Sequence, residues 1–143
     1  MKKKSTHSKR GKRARAAGAR FELKVRNKLE SGGWIMDKWT NNVDLSEGKL
    51  VKAKRKYNPY KKVLGIGTGF PDFIAFRLSK GKNYEIIGIE VKGGGWLDRS
   101  EREKCKFLLD KKIFSKILIA KKGKKRGEVE YIDFGKKDRK SVV

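Results

Sequence analysis

The sequence predicts one α/β domain, with a central mixed β-sheet of about five strands flanked by helices. Apolar residues recur at helical spacing in residues 18–31, and short apolar runs typical of strands lie on both sides of a second helical segment. The order is helix, strand, hairpin, helix, strand, strand, in a chain of 143 residues, about one domain's length. We expect the domain to span residues 18–135, between a basic arm at 1–17 and a polar tail at 136–143.

The charge of the chain predicts a polyanionic partner. The sequence has 40 Lys and Arg residues against 16 Asp and Glu, a formal net charge of +24 at pH 7. An anionic membrane is the competing partner, but we find no lipidation motif, no long apolar run and no amphipathic basic helix with aromatic anchors. We therefore expect nucleic acid as the partner and no membrane.

Histidine and cysteine are too few for several classes of site. Cys105 is the only cysteine and His7 the only histidine. The sequence thus excludes an internal disulfide, cysteine-rich or histidine-based metal sites, and Ser-His-Asp or Cys-His catalysis. Catalysis would use carboxylates, lysine and a metal held by oxygen atoms. No apolar run follows the basic start, so we expect no secretory signal and a cytoplasmic location.

The arm at residues 1–17 is predicted to be disordered, since residues 1–20 contain nine Lys or Arg and no acid. The segment ARAAGAR could instead extend the following helix toward the N-terminus. Such an arm binds phosphates without sequence preference, and the alternative is a tail that only maintains solubility. The residues expected to contact nucleic acid here are Lys12, Arg13, Arg15 and Arg20.

The first predicted helix covers residues 18–31 and is closed by Gly32-Gly33. Glu22 lies at the edge of the apolar stripe of this helix, so its carboxylate borders the core while its neighbours along the chain point further toward solvent. At 100° per residue, the stripe itself consists of Phe21, Val25 and Leu29.

Residues 40–66 are basic and show little periodicity apart from a strand near residues 50–54. A basic loop with interleaved aromatic rings suits nucleic acid, with phosphates on the lysines and a ring against a sugar or base. A solvated connection whose tyrosines pack on the domain is the alternative. The glycines of residues 65–69 match no phosphate-binding loop and predict a turn. The expected contacts with nucleic acid are Lys52, Lys54, Arg55, Lys56, Tyr57, Tyr60, Lys61 and Lys62.

The second helix is predicted to begin at residues 98–100, where Ser100 and Glu103 have capping-box spacing. A turn at residues 79–83 joins two neighbouring strands into a hairpin. The strands of the predicted central sheet are residues 34–39, 72–78, 84–92, 116–120 and 129–134.

The hairpin brings three charged residues to one face of the sheet. A turn centred on residue 81 places Asp72 opposite Glu90, and one centred on residue 82 places it opposite Lys92. In either register the three side chains share a face, because the side-chain period of a strand is two. Directly opposed Cβ atoms lie about 5 Å apart. Two carboxylates at that distance repel unless a proton or a cation lies between them.

A hard divalent cation resolves this repulsion. Magnesium prefers oxygen ligands and usually takes one or two carboxylates, with manganese as the substitute. Lys92 could orient or deprotonate an attacking water, or hold the charge of a pentacovalent phosphate. Glu22 is the candidate for a third carboxylate. The alternative is an ordinary ion pair of Lys92 with Glu90 or Asp72 on a half-exposed strand.

Three segments resemble a known group of nucleases. Pro71-Asp72, followed after seventeen residues by Glu90-Val91-Lys92, resembles the signature of the PD-(D/E)xK nuclease superfamily. GARFELKVRNKLESGGW is similar to the first helix of archaeal Holliday-junction resolvases. EVKGGGWLDRSEREKCKFLL is similar to the corresponding passage of the resolvase and VRR-NUC branches. The resemblance covers most of the foldable chain and implies a restriction-endonuclease-like core.

The resemblance implies roles for individual residues. Asp72 and Glu90 match the metal-binding carboxylates, and the Val91 carbonyl matches a further ligand. Lys92 matches the catalytic lysine. Glu22 matches the helix-one glutamate that assists the metal site in the resolvases.

This chain also departs from the pattern. VRR-NUC proteins usually carry a glutamine in the helix after the EVK motif, where this chain has Glu103 or Lys104. The basic stretch at residues 40–66 is longer than we expect in a minimal resolvase.

The activity implied is a magnesium-dependent, structure-selective DNA endonuclease, acting on branched DNA such as a Holliday junction. A homodimer is expected by analogy with resolvases, which cut two strands symmetrically. The alternative is a non-catalytic basic module that retains the fold and binds DNA or RNA, supported by a basicity beyond the needs of one active site. A restriction-type enzyme would need a recognition domain for which this length leaves little room.

Overall fold

The computed structural model describes residues 6–53, 56–58, 63–65 and 68–137 of the chain. Its elements in chain order are α1 (Thr6–Ser31), β1 (Ile35–Lys38), β2 (Asn41–Asp44), β3 (Lys49–Lys52), β4 (Lys56–Asn58), β5 (Val63–Gly65), β6 (Phe73–Leu78), β7 (Tyr84–Val91), α2 (Arg99–Asp110), β8 (Lys116–Lys122), β9 (Val129–Asp133) and α3 (Phe134–Lys137).

The central sheet has five strands in the order β1-β6-β7-β8-β9. Neighbouring strands are antiparallel except β7 and β8, which run parallel. This exception follows from the connections, because short turns join β6 to β7 and β8 to β9, whereas α2 carries the chain back to start β8 beside β7. The predicted α/β class, mixed sheet and five strands are confirmed.

Helix α1 covers one face of the sheet. Its residues Phe21, Val25 and Leu29 are buried, as the helical period predicted. The helix ends as predicted, with Gly33 at φ +93° and the Trp34 amide donating to the Leu29 carbonyl at 3.1 Å. The sheet residues that pack against this stripe include Phe73, Ala75, Ile87 and Ile89.

The N-terminal half of α1 corrects the predicted disordered arm. The helix begins at Thr6, so residues 6–17 are helical, whereas the extension through the ARAAGAR segment reached back only to Ala14. Alanine, lysine and arginine are strong helix formers, and here they extend a helix that packing already holds from Phe21 onward. Residues 1–5 lie outside the described part of the chain. No helix in the described residues is long and apolar enough to cross a membrane.

Helix α2 covers the opposite face of the sheet. Cys105 and Leu108 are fully buried and pack against Ile117 and Ile119 of β8. The predicted tail at 136–143 begins inside the short helix α3, and the residues after 137 lie outside the described part.

The basic stretch after β1 forms two small hairpins beside the main sheet. The strand predicted near residues 50–54 is β3, which pairs with β2, while β4 pairs with β5. The Asp44 carboxylate caps the β2–β3 turn by accepting from the Glu47 amide at 3.1 Å, and Gly48 supplies a positive φ of 65°. The backbone at Gly69 lies against that of Trp39, and a Cβ there would collide with the Trp39 carbonyl oxygen.

Candidate active site

The hairpin register places Asp72 opposite Glu90. Phe73 pairs with Ile89 in the β6–β7 ladder, and continuing this pairing by one residue sets the two carboxylates face to face. The pairing centres on residue 81, the first of the two predicted registers. Because Ile89 belongs to the α1 face of the sheet, the alternate residues Glu90 and Lys92 belong to the α2 face.

Hydrogen bonds hold the two carboxylates at the site. The Val91 amide donates to Asp72 Oδ2 at 2.8 Å, and the Asp72 amide donates to Glu90 Oε1 at 3.2 Å. Lys92 Nζ lies 3.7 Å from Glu90 Oε2. The structure therefore brings together Asp72, Glu90 and Lys92. Val91 contributes its amide here, and a role for its carbonyl as a ligand stays a prediction.

The environment of Glu90 disfavours its ionised form. The Glu90 side chain is 4% exposed, and Glu90 is the one charged residue that is buried in the described part of the chain. Burial first, then the charge of Asp72 and a hydrogen bond with that side chain, raise the pKa of Glu90 to about 10. The charge of Lys92 acts in the opposite direction but does not prevail. Without a cation, Glu90 is thus protonated at neutral pH.

Glu101 is a site residue that the sequence analysis missed. Its Oε2 lies 2.6 Å from Lys92 Nζ, closer than the Glu90 carboxylate. Burial alone would lower the pKa of Lys92, but the hydrogen bond that its ammonium donates to Glu101 and the charges of the neighbouring carboxylates outweigh burial and raise that pKa. Lys92 is therefore a firmly protonated ammonium.

The cap of α2 explains how Glu101 reaches the site. Asp98 is the N-cap: its Oδ1 accepts from the Glu101 amide at 2.7 Å, and Glu101 Oε1 accepts from the Asp98 amide at 3.1 Å. The predicted Ser100–Glu103 capping box is wrong, because Glu103 instead pairs with Arg99 in an exposed position. The sequence did contain the pattern for this cap, since Asp98 and Glu101 also have capping-box spacing.

Glu22 is half-buried on α1, at the edge of the predicted stripe. Burial, followed by the charge of Asp72, raises the pKa of Glu22, and Lys38 opposes this effect. Its carboxylate therefore lies within electrostatic reach of Asp72. Glu22 and Glu101 belong to helices that pack on opposite faces of the sheet.

The oxygen atoms of Asp72 and Glu90 are the donors that a divalent cation would use at this site. Within the described residues, no three His, Cys, Asp or Glu side chains form a ready-made metal site. The Asp72–Glu90 pair still fits a hard cation, because two opposed carboxylates need a proton or a cation between them. The raised pKa of Glu90 is the signature of this need.

Four of the predicted nucleic-acid contacts belong to the N-terminal part of α1. Ala14 and Gly18 of α1 line a cavity of about 250 Å³ together with Val91 and Gly93, next to the end of β7. The basic half of α1 therefore starts at the site. Lys12, Arg13, Arg15 and Arg20 of α1 and Lys52 of β3 are exposed, Lys56 and Tyr57 belong to β4, and Lys54, Arg55, Tyr60, Lys61 and Lys62 lie outside the described residues.

No protein-family model matches this chain, and neither does any curated protein or solved structure.

Proposed function

We propose that this protein is a metal-dependent, structure-selective DNA endonuclease with a restriction-endonuclease-like core. One observation carries the proposal: Asp72 and Glu90 oppose each other across a hairpin, with Lys92 on the same face. Two carboxylates and an amine in this arrangement suit hydrolysis of a phosphodiester, where negative charge develops on the phosphate oxygens.

Each residue has a defined part in this proposal. Asp72, Glu90 and the carbonyl of Val91 would hold Mg²⁺ or Mn²⁺, with Glu22 assisting. When bound, the cation supplies Lewis-acid stabilisation of the phosphate. Lys92 stabilises the developing charge as an ammonium rather than acting as a base, because Glu101 raises its pKa.

The basic half of α1 supports DNA as the substrate. Residues 6–21 contain no acid, and their cations are exposed from Lys9 onward. A helix of this charge binds the phosphate backbone without reading the sequence. Selectivity would then come from the shape of the DNA at the site, where branched DNA is the first substrate to test.

A non-catalytic nucleic-acid-binding module is the second candidate. The ion pair of Lys92 with Glu101 favours it, because the ammonium is already satisfied inside the protein. The same net charge of +24 serves this role equally well.

Cleavage of a labelled substrate panel tests the proposal. The panel contains a four-way junction, a flap, single strands and blunt duplex, with Mg²⁺ or Mn²⁺, and Asp72→Asn is the negative control. Symmetric cutting of the junction would indicate a resolvase acting as a homodimer, and cutting of flaps or single strands would assign another substrate. If the protein binds DNA but cuts no substrate with either metal, the nuclease proposal is rejected in favour of a non-catalytic binding module.

Loss of Glu101 is expected to lower the cleavage rate. In Glu101→Ala, Lys92 loses its closest carboxylate and the α2 cap loses one acceptor. We expect the cleavage rate at saturating substrate to fall about tenfold. Losses of this size are typical when a residue that orients a functional side chain is removed. Glu101→Gln retains one acceptor oxygen and should recover part of the rate. Glu103→Ala, on the same helix but exposed, is the control, and an equal loss there would contradict the assignment.

Neutralising the α1 cations is expected to weaken DNA binding equally for all sequences. We expect Arg13→Gln with Arg15→Gln to reduce affinity and to make the slope of log K against log salt shallower by about 0.9 per lost phosphate contact. The control is Lys80→Gln with Lys82→Gln, at the hairpin turn that lies at the opposite end of β7. Filter-binding titrations at several salt concentrations measure both, and identical slopes for the two pairs would refute the α1 interface.

A further inference from the structure

An exposed indole lies in the loop that leaves the candidate site. Trp96 is 64% exposed, the largest fraction among the large apolar side chains of the described residues. Single exposed apolar side chains are common, so exposure alone carries no inference. The position and the anchoring of this ring distinguish it.

The loop is held at both ends. The Gly95 amide donates to the Lys92 carbonyl at 2.8 Å, and the Lys122 amide donates to the Gly93 carbonyl at 3.1 Å. After the ring, Leu97 packs into the core under α2. Trp96 is therefore presented from a fixed loop four residues after Lys92.

The loop between Lys92 and the ring carries no side chains. Residues 93–95 are glycines and place no side chain between Lys92 and Trp96. Gly95 has a φ of 78°, and a Cβ there would come within 2.8 Å of the Lys121 side chain. Lys121, whose ammonium lies 3.5 Å from Glu130 Oε2, and Lys122 border the loop, and their positive charge suits a phosphate backbone passing over it.

We propose that Trp96 is a stacking platform for an unpaired nucleobase next to the scissile phosphate. Only an unpaired base offers its face to such a ring, since the bases of a continuous duplex are already stacked on each other. Aromatic stacking tolerates any base and adds to backbone binding by cations. The substrate class is therefore DNA with unpaired nucleotides at the cut, and this inference rests on the proposed function for the position of that cut.

Binding without divalent cations tests the platform separately from cleavage. Affinities for a labelled single-stranded 12-mer and a blunt duplex are measured in EDTA for the wild type, Trp96→Leu and Trp96→Phe. We expect Trp96→Leu to bind the single strand about tenfold more weakly, with duplex affinity unchanged. Trp96→Phe keeps an aromatic face and should retain most of the affinity. Tyr84→Ala is the matched control, since Tyr84 is 61% exposed at the far end of β7.

Tryptophan fluorescence reports the contact directly. Addition of the single strand should quench the emission of the wild type, and Trp96→Phe should lose most of that quenching. Equal affinities for Trp96→Leu and the wild type, or equal losses on single strand and duplex, would overturn the proposal. A change of oligomeric state in Trp96→Leu would overturn it too, by assigning the ring to an interface between copies. If the Trp96 ring strengthens binding of the single strand but not of the duplex, and no nuclease activity is found, the proposed catalysis would be refuted and the stacking platform would stand.

Discussion

Replacing Glu90 with glutamine should abolish metal-dependent cleavage while DNA affinity stays unchanged. The substitution keeps the shape of the side chain and removes one of the two carboxylates that would hold the cation. The rate should fall by more than about a hundredfold, since loss even of a partner of a metal ligand commonly costs 10–100-fold. Single-turnover cleavage of the best substrate of the panel measures the effect.

The controls separate catalysis from folding and binding. Glu85→Gln changes a glutamate of the same strand that pairs with Lys116 and Arg77 at the other end of β7, and it should leave the rate unchanged. Circular dichroism and DNA affinity of Glu90→Gln should match the wild type, because Glu90 is already neutral in the metal-free protein. If the Glu90→Gln protein cleaves at the wild-type rate, Glu90 has no part in the catalytic site.

The metal-free protein should lose stability as pH rises, and Glu90 should account for a large part of this loss. Its pKa is about 10 in the folded protein against an ordinary 4.5. Between these values the folded state keeps a proton that the unfolded chain has released, so a rise in pH favours unfolding. One proton contributes at most about 1.4 kcal/mol per pH unit.

The comparison with Glu90→Gln isolates this contribution, since glutamine does not titrate. From pH 6 to pH 9, the free energy of unfolding of the wild type in EDTA should fall by about 2 to 4 kcal/mol relative to the variant. Urea titrations at several pH values measure the difference. Magnesium should reduce it, because a bound cation stabilises the carboxylate. Parallel pH profiles of the two proteins would show that Glu90 ionises normally.

The sequence led to the correct face and strands for the central residues because the signals are local. Asp72, Glu90 and Lys92 share a face through the period of two, and the five-residue turn limited the hairpin to two registers. The apolar stripe of α1 and its glycine stop were equally local. The start of α1 was missed, because composition indicated disorder where high helix propensity and an anchored helix prevailed.

Glu101 could not be assigned to the site from the sequence, since its contact with Lys92 depends on how α2 packs against the sheet. The spacing of Asp98 and Glu101 identifies a cap and says nothing about which strand residue the glutamate reaches. The same holds for the basic half of α1, whose position beside the end of β7 follows from the packing of Phe21, Val25 and Leu29.

By itself, the sequence determined the α/β class, the large excess of positive charge, and the face shared by two carboxylates and a lysine. These depend on composition and on side-chain periods within single elements. Only the tertiary structure decided the register that opposes Asp72 and Glu90, the burial that raises the pKa of Glu90, and the pairing of Lys92 with Glu101. Burial and charge proximity arise when separate elements pack together, so no local pattern encodes them.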